Sequence, residues 1–268
     1  MIEFHELPNG RRIRYEHRRQ AADDAPTVVF LNGLSQTIVA WGIQVRRLDG
    51  LANTLCLDAL GQGRSDIPPD VHRPRDHAED LLHLLRALDL QQVDLVGFSF
   101  GSRIALRAAI AEPDRFRRLV IAGCAHRETV LRRWIVGSWL DALDEGGLAH
   151  VFRVVTPLIV GERWLAKYEG SVDAMVNAFT RRNDPDGMRR LLADSVLPDG
   201  DLVDELTAIH HPTLVVRGEH DLVVPREVAR ELAVALPSAV YAECPDVGHT
   251  IAIEDPDWFA GAVRMHLL

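Results

Sequence analysis

The sequence has 268 residues, of which 47% are hydrophobic and 26% charged, with a formal net charge of −9. This is ordinary globular composition, and a chain this long can bury roughly three quarters of its unfolded surface, so it needs no disulfide or metal staple. The acidic balance argues against nucleic-acid and anionic-membrane roles, which call for a basic patch.

The first elements alternate. Ile2 and Phe4 lead through Leu7 to the turn signal Pro8-Asn9-Gly10, and Ile13 and Tyr15 continue with period two, which predicts a β-hairpin at a sheet edge. Thr27-Val28-Val29-Phe30-Leu31 is different: a continuous apolar run of this kind marks a strand buried on both faces. Similar runs recur at 54–57, 93–96, 119–122 and 213–216, with a last one at 239–241. Between them lie helical periods. Ala78, Leu81, Leu82, Leu85 and Leu88 form a stripe in 75–90, the alanine-rich stretch 104–110 ends before Pro113, and Val228, Ala229, Leu232 and Leu236 form a stripe in 226–236. Buried strands alternating with helices imply an α/β fold with a doubly wound, mostly parallel sheet.

The alternation stops at about Ala125 and resumes at Pro212. The interval reads as helical, with 151–155 and 158–160 as short strand-like exceptions, and it holds three of the five tryptophans. The expected division is therefore a core of 1–125 and 206–268 and a helical cap or lid of 126–205. Cys56, Cys124 and Cys244 lie far apart, with no CxxC or Cys/His zinc spacing, so packing is their expected role and neither metal nor cofactor is called for. The first residues lack a basic start followed by an apolar run, and no stretch reaches about 18 consecutive apolar residues; the expectation is a cytoplasmic protein without a membrane span.

Gly97-Phe98-Ser99-Phe100-Gly101 falls between the strand at 93–96 and the helix at 104–110. G-x-S-x-G in that context is a turn tight enough to present Ser99 above the strand ends. A serine hydroxyl needs a base. Among 12 histidines, His249 stands out in the loop Asp246-Val247-Gly248-His249-Thr250 after the last strand; His126 and His220, near other strand ends, are weaker candidates. The imidazole in turn needs an acid. Asp221, in the loop after strand 213–216, is placed for it, with Glu219 and Asp246 as rivals and helix capping as its bland role. An oxyanion needs two N–H donors. Phe100 follows the nucleophile, and Leu34 stands in the turn Asn32-Gly33-Leu34 after the first buried strand. Trp134, Trp139, Phe152, Trp164 and Phe179 are the pool from which pocket walls would come, although packing of the insertion competes for each.

With these residues placed, the chain resembles the α/β-hydrolases over nearly its full length. Asp58-Ala59-Leu60-Gly61-Gln62-Gly63-Arg64-Ser65 resembles the family's D-x-x-G-x-G-x-S loop, Pro212 to Pro225 its strand and acid loop, and Gly248-His249 with Glu254-Asp255-Pro256 its histidine loop. The resemblance implies an eight-stranded sheet with a cap after strand six, a Ser99–Asp221–His249 triad, and an oxyanion hole at Leu34 and Phe100. Two departures stand out. Asn32 replaces a common histidine and is similar to some acyl-transferring members, and Ser102 replaces a second glycine with no expected consequence. A serine nucleophile argues against epoxide hydrolase and haloalkane dehalogenase chemistry. The expected activity is cleavage of a small or medium, largely apolar ester, thioester or lactone, the partner being that small acyl substrate. The alternatives are acyl transfer by the same residues, or a ligand-binding protein without turnover.

Overall fold

The computed structural model describes residues 2–22, 24–70, 72–196 and 202–268. Among them, eight strands form one sheet: β1 (Ile2–Glu6), β2 (Arg12–Arg18), β3 (Thr27–Leu31), β4 (Asn53–Asp58), β5 (Val93–Phe98), β6 (Phe116–Ala122), β7 (Thr213–Gly218) and β8 (Ala239–Cys244), in the order β1-β2-β4-β3-β5-β6-β7-β8. β1 pairs antiparallel with β2 and β2 with β4; the remaining pairings are parallel. The expected hairpin is the edge of this sheet.

The sheet is wrapped by α1 (Gly42–Arg47), α2 (Pro74–Ala87) and α3 (Phe100–Ala111) from the first half of the chain. Between β6 and β7 come α4 (Val130–Ile159), α5 (Glu162–Tyr168), α6 (Val172–Arg182) and α7 (Pro185–Val196), and then α8 (Arg226–Ala235), α9 (Ile251–Glu254) and α10 (Pro256–Leu267). The apolar run of β3 is explained by its two faces. Val29 and Leu31 pack with Leu81, Leu85 and Ile104 on one side, while Val28 and Phe30 pack with Trp41 and Phe259 on the other. Every residue of β3, β4, β5 and β7 is buried, whereas β1 is largely exposed. Each such buried side chain contributes about 1.5–3 kcal/mol, which favours this register over a slip.

The strand-like stretches 151–155 and 158–160 are a correction: all but Val160 lie inside α4. Their β-branched residues are overruled by tertiary packing, since Val151 joins Val136, Trp139, Leu143, Leu148, Met188 and Leu192 in a third apolar cluster. α4 is capped by Thr129, whose hydroxyl accepts the Arg132 N–H at 3.1 Å, and it breaks at Gly147, where φ is 65°. That third cluster continues into Val223, Val224 and Val228, so the inserted helices rest on the loop after β7. Among the described residues, no helix is long and apolar enough to cross a membrane.

Candidate active site

β5 ends at Phe98 and α3 begins at Phe100, which leaves Ser99 alone to reverse the chain, with φ 51° and ψ −111°. A non-glycine residue in this region costs about 1–3 kcal/mol and is held only by its surroundings. The two glycines of the motif allow it. A Cβ at Gly97 would lie 2.6 Å from Ser102 Cα, and one at Gly101 would overlap the Leu31 carbonyl. The Ser99 N–H donates to Ala122 O at 2.8 Å, tying the elbow to β6. Ser102 does more than stay small: its hydroxyl reaches Gly97 O at 2.8 Å and Ala122 O at 3.0 Å, a second tie at the same corner.

The structure brings together the three residues that lie far apart in sequence. His249 Nε2 is 3.0 Å from Ser99 Oγ, and His249 Nδ1 is 2.8 Å from Asp221 Oδ2. The other carboxylate oxygen, Oδ1, accepts the N–H groups of Val223 (2.8 Å) and Val224 (2.9 Å). Asp221 and His249 are buried, and Ser99 is partly open. An acid whose oxygens are all engaged and out of water can hold one imidazole tautomer and stabilise the imidazolium. The rivals are elsewhere: Glu219 accepts the Asp246 N–H, and Asp246 is exposed. His126 and His220 do not contact Ser99 among the described residues.

Sequence reasoning missed the residues that hold these loops. Arg217, buried at the end of β7, donates to the carbonyls of Val224 (2.8 Å), Glu219 (3.1 Å) and Asp221 (2.7 Å), which shapes the acid loop from within. Glu254 joins the histidine loop to the end of α4: Oε2 accepts the N–H of Gly161 (2.7 Å) and of Gly248 (3.0 Å), while Oε1 accepts the Thr250 hydroxyl (2.9 Å). A Cβ at Gly218 would overlap the Gly248 carbonyl, so at this point the two loops meet backbone to backbone.

The Leu34 turn has a comparable frame. Gln62 Nε2 donates to the carbonyls of Gly33 (2.8 Å) and Leu34 (3.2 Å). Asn32 Nδ2 donates to Leu57 O (2.9 Å) and Asp58 Oδ1 (3.2 Å), while its Oδ1 accepts the Trp41 Nε1–H (2.8 Å). Burial pushes the Asp58 carboxyl above its ordinary range, opposed by the Ile38 N–H and the Arg14 guanidinium. The D-x-x-G-x-G-x-S pattern was the available signal for this frame. With their carbonyls and side chains engaged, the turn leaves the Leu34 N–H, like the Phe100 N–H, without a protein acceptor among the described residues.

A cavity of about 440 Å³ opens beside Ser99 and His249. Trp139, Phe152, Trp164 and Phe179 border it, with Phe152 and Phe179 rings 5.3 Å apart. Trp134 does not: its side chain points to solvent, 77% exposed, because the buried face of α4 is the one carrying Ile135, Val136 and Trp139. Leu34 lines the cavity; Phe98 also lines it, with its ring 5.0 Å from that of His249. Among the described residues, two clusters have donor sets that could hold a cation, His72–His77–Asp80 and Glu219–His220–Asp246, and none of the six residues borders this cavity. The cysteines offer no competing nucleophile: burial pushes the thiols of Cys124 and Cys244 up to about 12.

Comparison with known proteins gives the family. Residues 26–256 match the family model described as alpha/beta hydrolase fold. A carbamate hydrolase RutD from Pseudomonas syringae pv. syringae (strain B728a) is 30% identical over 91% of this chain and 94% of its own, and one from Caulobacter sp. (strain K31) is 28% identical over 90% of each. Among solved structures, the alpha/beta hydrolase MGS-M2 from a Medee basin deep-sea metagenome library superposes with a TM-score of 0.91 at 24% identity, covering 98% of this chain and 96% of the other. The chain therefore belongs to the alpha/beta hydrolase fold family.

Proposed function

We propose that this chain hydrolyses small or medium carboxylic esters, including thioesters and lactones, through an acyl-enzyme on Ser99. The observation that carries the reading is the unbroken line from Asp221 through His249 to Ser99, with the serine held in a strained elbow at the mouth of the cavity. His249 Nε2 takes the Ser99 proton as Oγ attacks the acyl carbon. The Leu34 and Phe100 N–H groups receive the developing oxyanion, each such donor being worth about 2.7–4 kcal/mol. The imidazolium then returns its proton to the departing alcohol or thiol. Water, deprotonated by the same nitrogen, cleaves the acyl-enzyme and restores Ser99. Residues 126–205 act as a cap over the core formed by 1–125 and 206–268, and the aromatic side chains of the cap receive the apolar part of the substrate. The relatives named as carbamate hydrolase support bond cleavage at an acyl carbon.

A p-nitrophenyl ester series from short to long chains tests the reading. Turnover, a burst of product, and covalent capture of Ser99 by a fluorophosphonate are expected, all abolished in Ser99→Ala. Full turnover by Ser99→Ala overturns the mechanism. Product partitioning in the presence of an added alcohol or thiol acceptor separates hydrolysis from acyl transfer.

A further inference from the structure

A second, smaller cavity of about 30 Å³ adjoins the nucleophile, sharing Leu34, Ser99 and Trp139 with the larger one. Ser99, Phe100, Leu34, Arg103, Arg132 and Trp139 border it. Its size suits about two water-sized groups, the bulk of one carboxylate. Both arginines are 92% buried or close to it, each being 8% exposed. Arg132 is paired with the Glu128 carboxylate at 2.7 Å. Arg103 has no carboxylate partner among the described residues, and its Nε, like Trp139 Nε1, is a buried donor without an acceptor. Two buried guanidinium groups thus border one small cavity, with the Arg103 and Trp139 donors left open beside it. Burial first, and Arg103 second, draw Arg132 below its ordinary pKa, as expected for two cations held close together.

An unpaired buried guanidinium is costly, and it cannot escape by losing its proton. An anion entering this cavity would relieve that cost. The surface does not explain the arrangement, because the chain as a whole carries −9 and repels anions.

We propose that Arg103 and Arg132 form a carboxylate subsite beside Ser99, so that the substrate is an ester carrying its own carboxylate a few bonds from the scissile carbonyl. This rests on the hydrolytic reading above and narrows its substrate class. Ser99 immediately precedes α3, Arg103 is the fourth residue of that helix, and both border the small cavity. A cavity shared by the two suits a half-ester of a short dicarboxylic acid: the carboxylate sits in the guanidinium fork, the carbonyl on Ser99, and the remaining apolar portion in the larger cavity.

The experiment compares monoethyl esters of the diacids from malonate to adipate with their neutral carboxamide isosteres, using the full chain. For the best member of the series, kcat/KM for the carboxylate is expected to exceed that for the carboxamide at least about tenfold, mainly through KM. Arg103→Met is expected to erase that ratio, and Arg103→Lys to restore it in part. A ratio of one or less in the wild-type protein overturns the subsite, whatever the variants do. If neither ester series nor p-nitrophenyl butyrate is hydrolysed, the hydrolytic reading fails separately. The subsite is then decided by calorimetry of the free diacids on Ser99→Ala: binding that Arg103→Met abolishes supports it, and no binding of any diacid overturns it.

Discussion

The loops at the strand ends and the inserted helices both reach Ser99, but they are held there differently. At the strand ends, backbone meets backbone. Gly97 and Gly101 admit the neighbouring chain at the elbow, Gly218 and Gly248 touch without side chains, and Asp221 is fixed by two N–H groups and an imidazole. The insertion meets those loops through backbone only at Gly161 and Gly187 among the glycines described; within it, side chains pack against side chains, and Gly137 of α4 has open space around it. Geometry of the first kind tolerates almost no change, which suits a reaction needing atoms placed to a fraction of an ångström. Geometry of the second kind sets the shape of a pocket and can be altered while the chemistry survives.

The largest expected effect breaks the strand-end half chemically. Asp221→Asn should lower kcat by about 10³–10⁴-fold while the fold persists, because the amide favours the wrong imidazole tautomer. Steady-state ester hydrolysis alongside circular dichroism checks both parts.

The next breaks the same half sterically. Gly218→Ala drives a methyl into the Gly248 carbonyl, with backbone on both sides unable to yield. A loss of about 3 kcal/mol or more, together with displacement of the His249 loop, is expected in urea unfolding. Gly137→Ala, in the exposed space of α4, should instead stabilise the chain by about 0.5–1 kcal/mol. Equal effects at the two sites would dissolve the comparison.

Within the insertion, Phe152→Ala should change the ratio of long-chain to short-chain ester turnover by about tenfold, with little change in the preferred pH. Trp134→Ala should leave that ratio alone and alter stability by no more than about 0.5 kcal/mol, since its ring is in solvent.

The smallest effect concerns pH. His77 is buried under the strand-end half, edge-on to Phe100 at 5.2 Å, and burial lowers its pKa well below 6.5. The folded state therefore keeps it neutral while the unfolded chain takes up a proton. Its contribution is complete above about pH 6.5 and is lost as pH falls from there, by about 1.4 kcal/mol for each unit. Thermal unfolding between pH 7.5 and 5.5 should show Tm falling by a few degrees, about 2–4 °C per kcal/mol at this size. His77→Leu should flatten that slope.

Much of this was legible from local pattern. Val28 to Leu31 announce a strand buried on both faces because a parallel sheet leaves no face in water, and G-x-S-x-G between a strand and a helix announces an elbow because only glycine admits the neighbouring backbone. The three site residues could be named because each follows the end of a parallel strand. Val151 to Val155 misled, since their β-branched side chains were being chosen for a helix–helix contact that no local window contains. Trp134 and Trp139 are equally aromatic in sequence, and only the face that α4 turns inward separates them.

The sequence by itself determined the alternation of buried strands and helices and offered Ser99, His249 and Asp221 as candidates for nucleophile, base and acid, because period, turn chemistry and motif act over a few neighbouring residues. Tertiary structure decided which acid meets His249, how Gln62, Arg217 and Glu254 hold the loops, which aromatic side chains line the larger cavity, and that Arg103 and Arg132 both border the smaller one. Those contacts join residues far apart in the chain, and their energies come from burial and from pairing donors with acceptors, which no stretch of sequence carries alone.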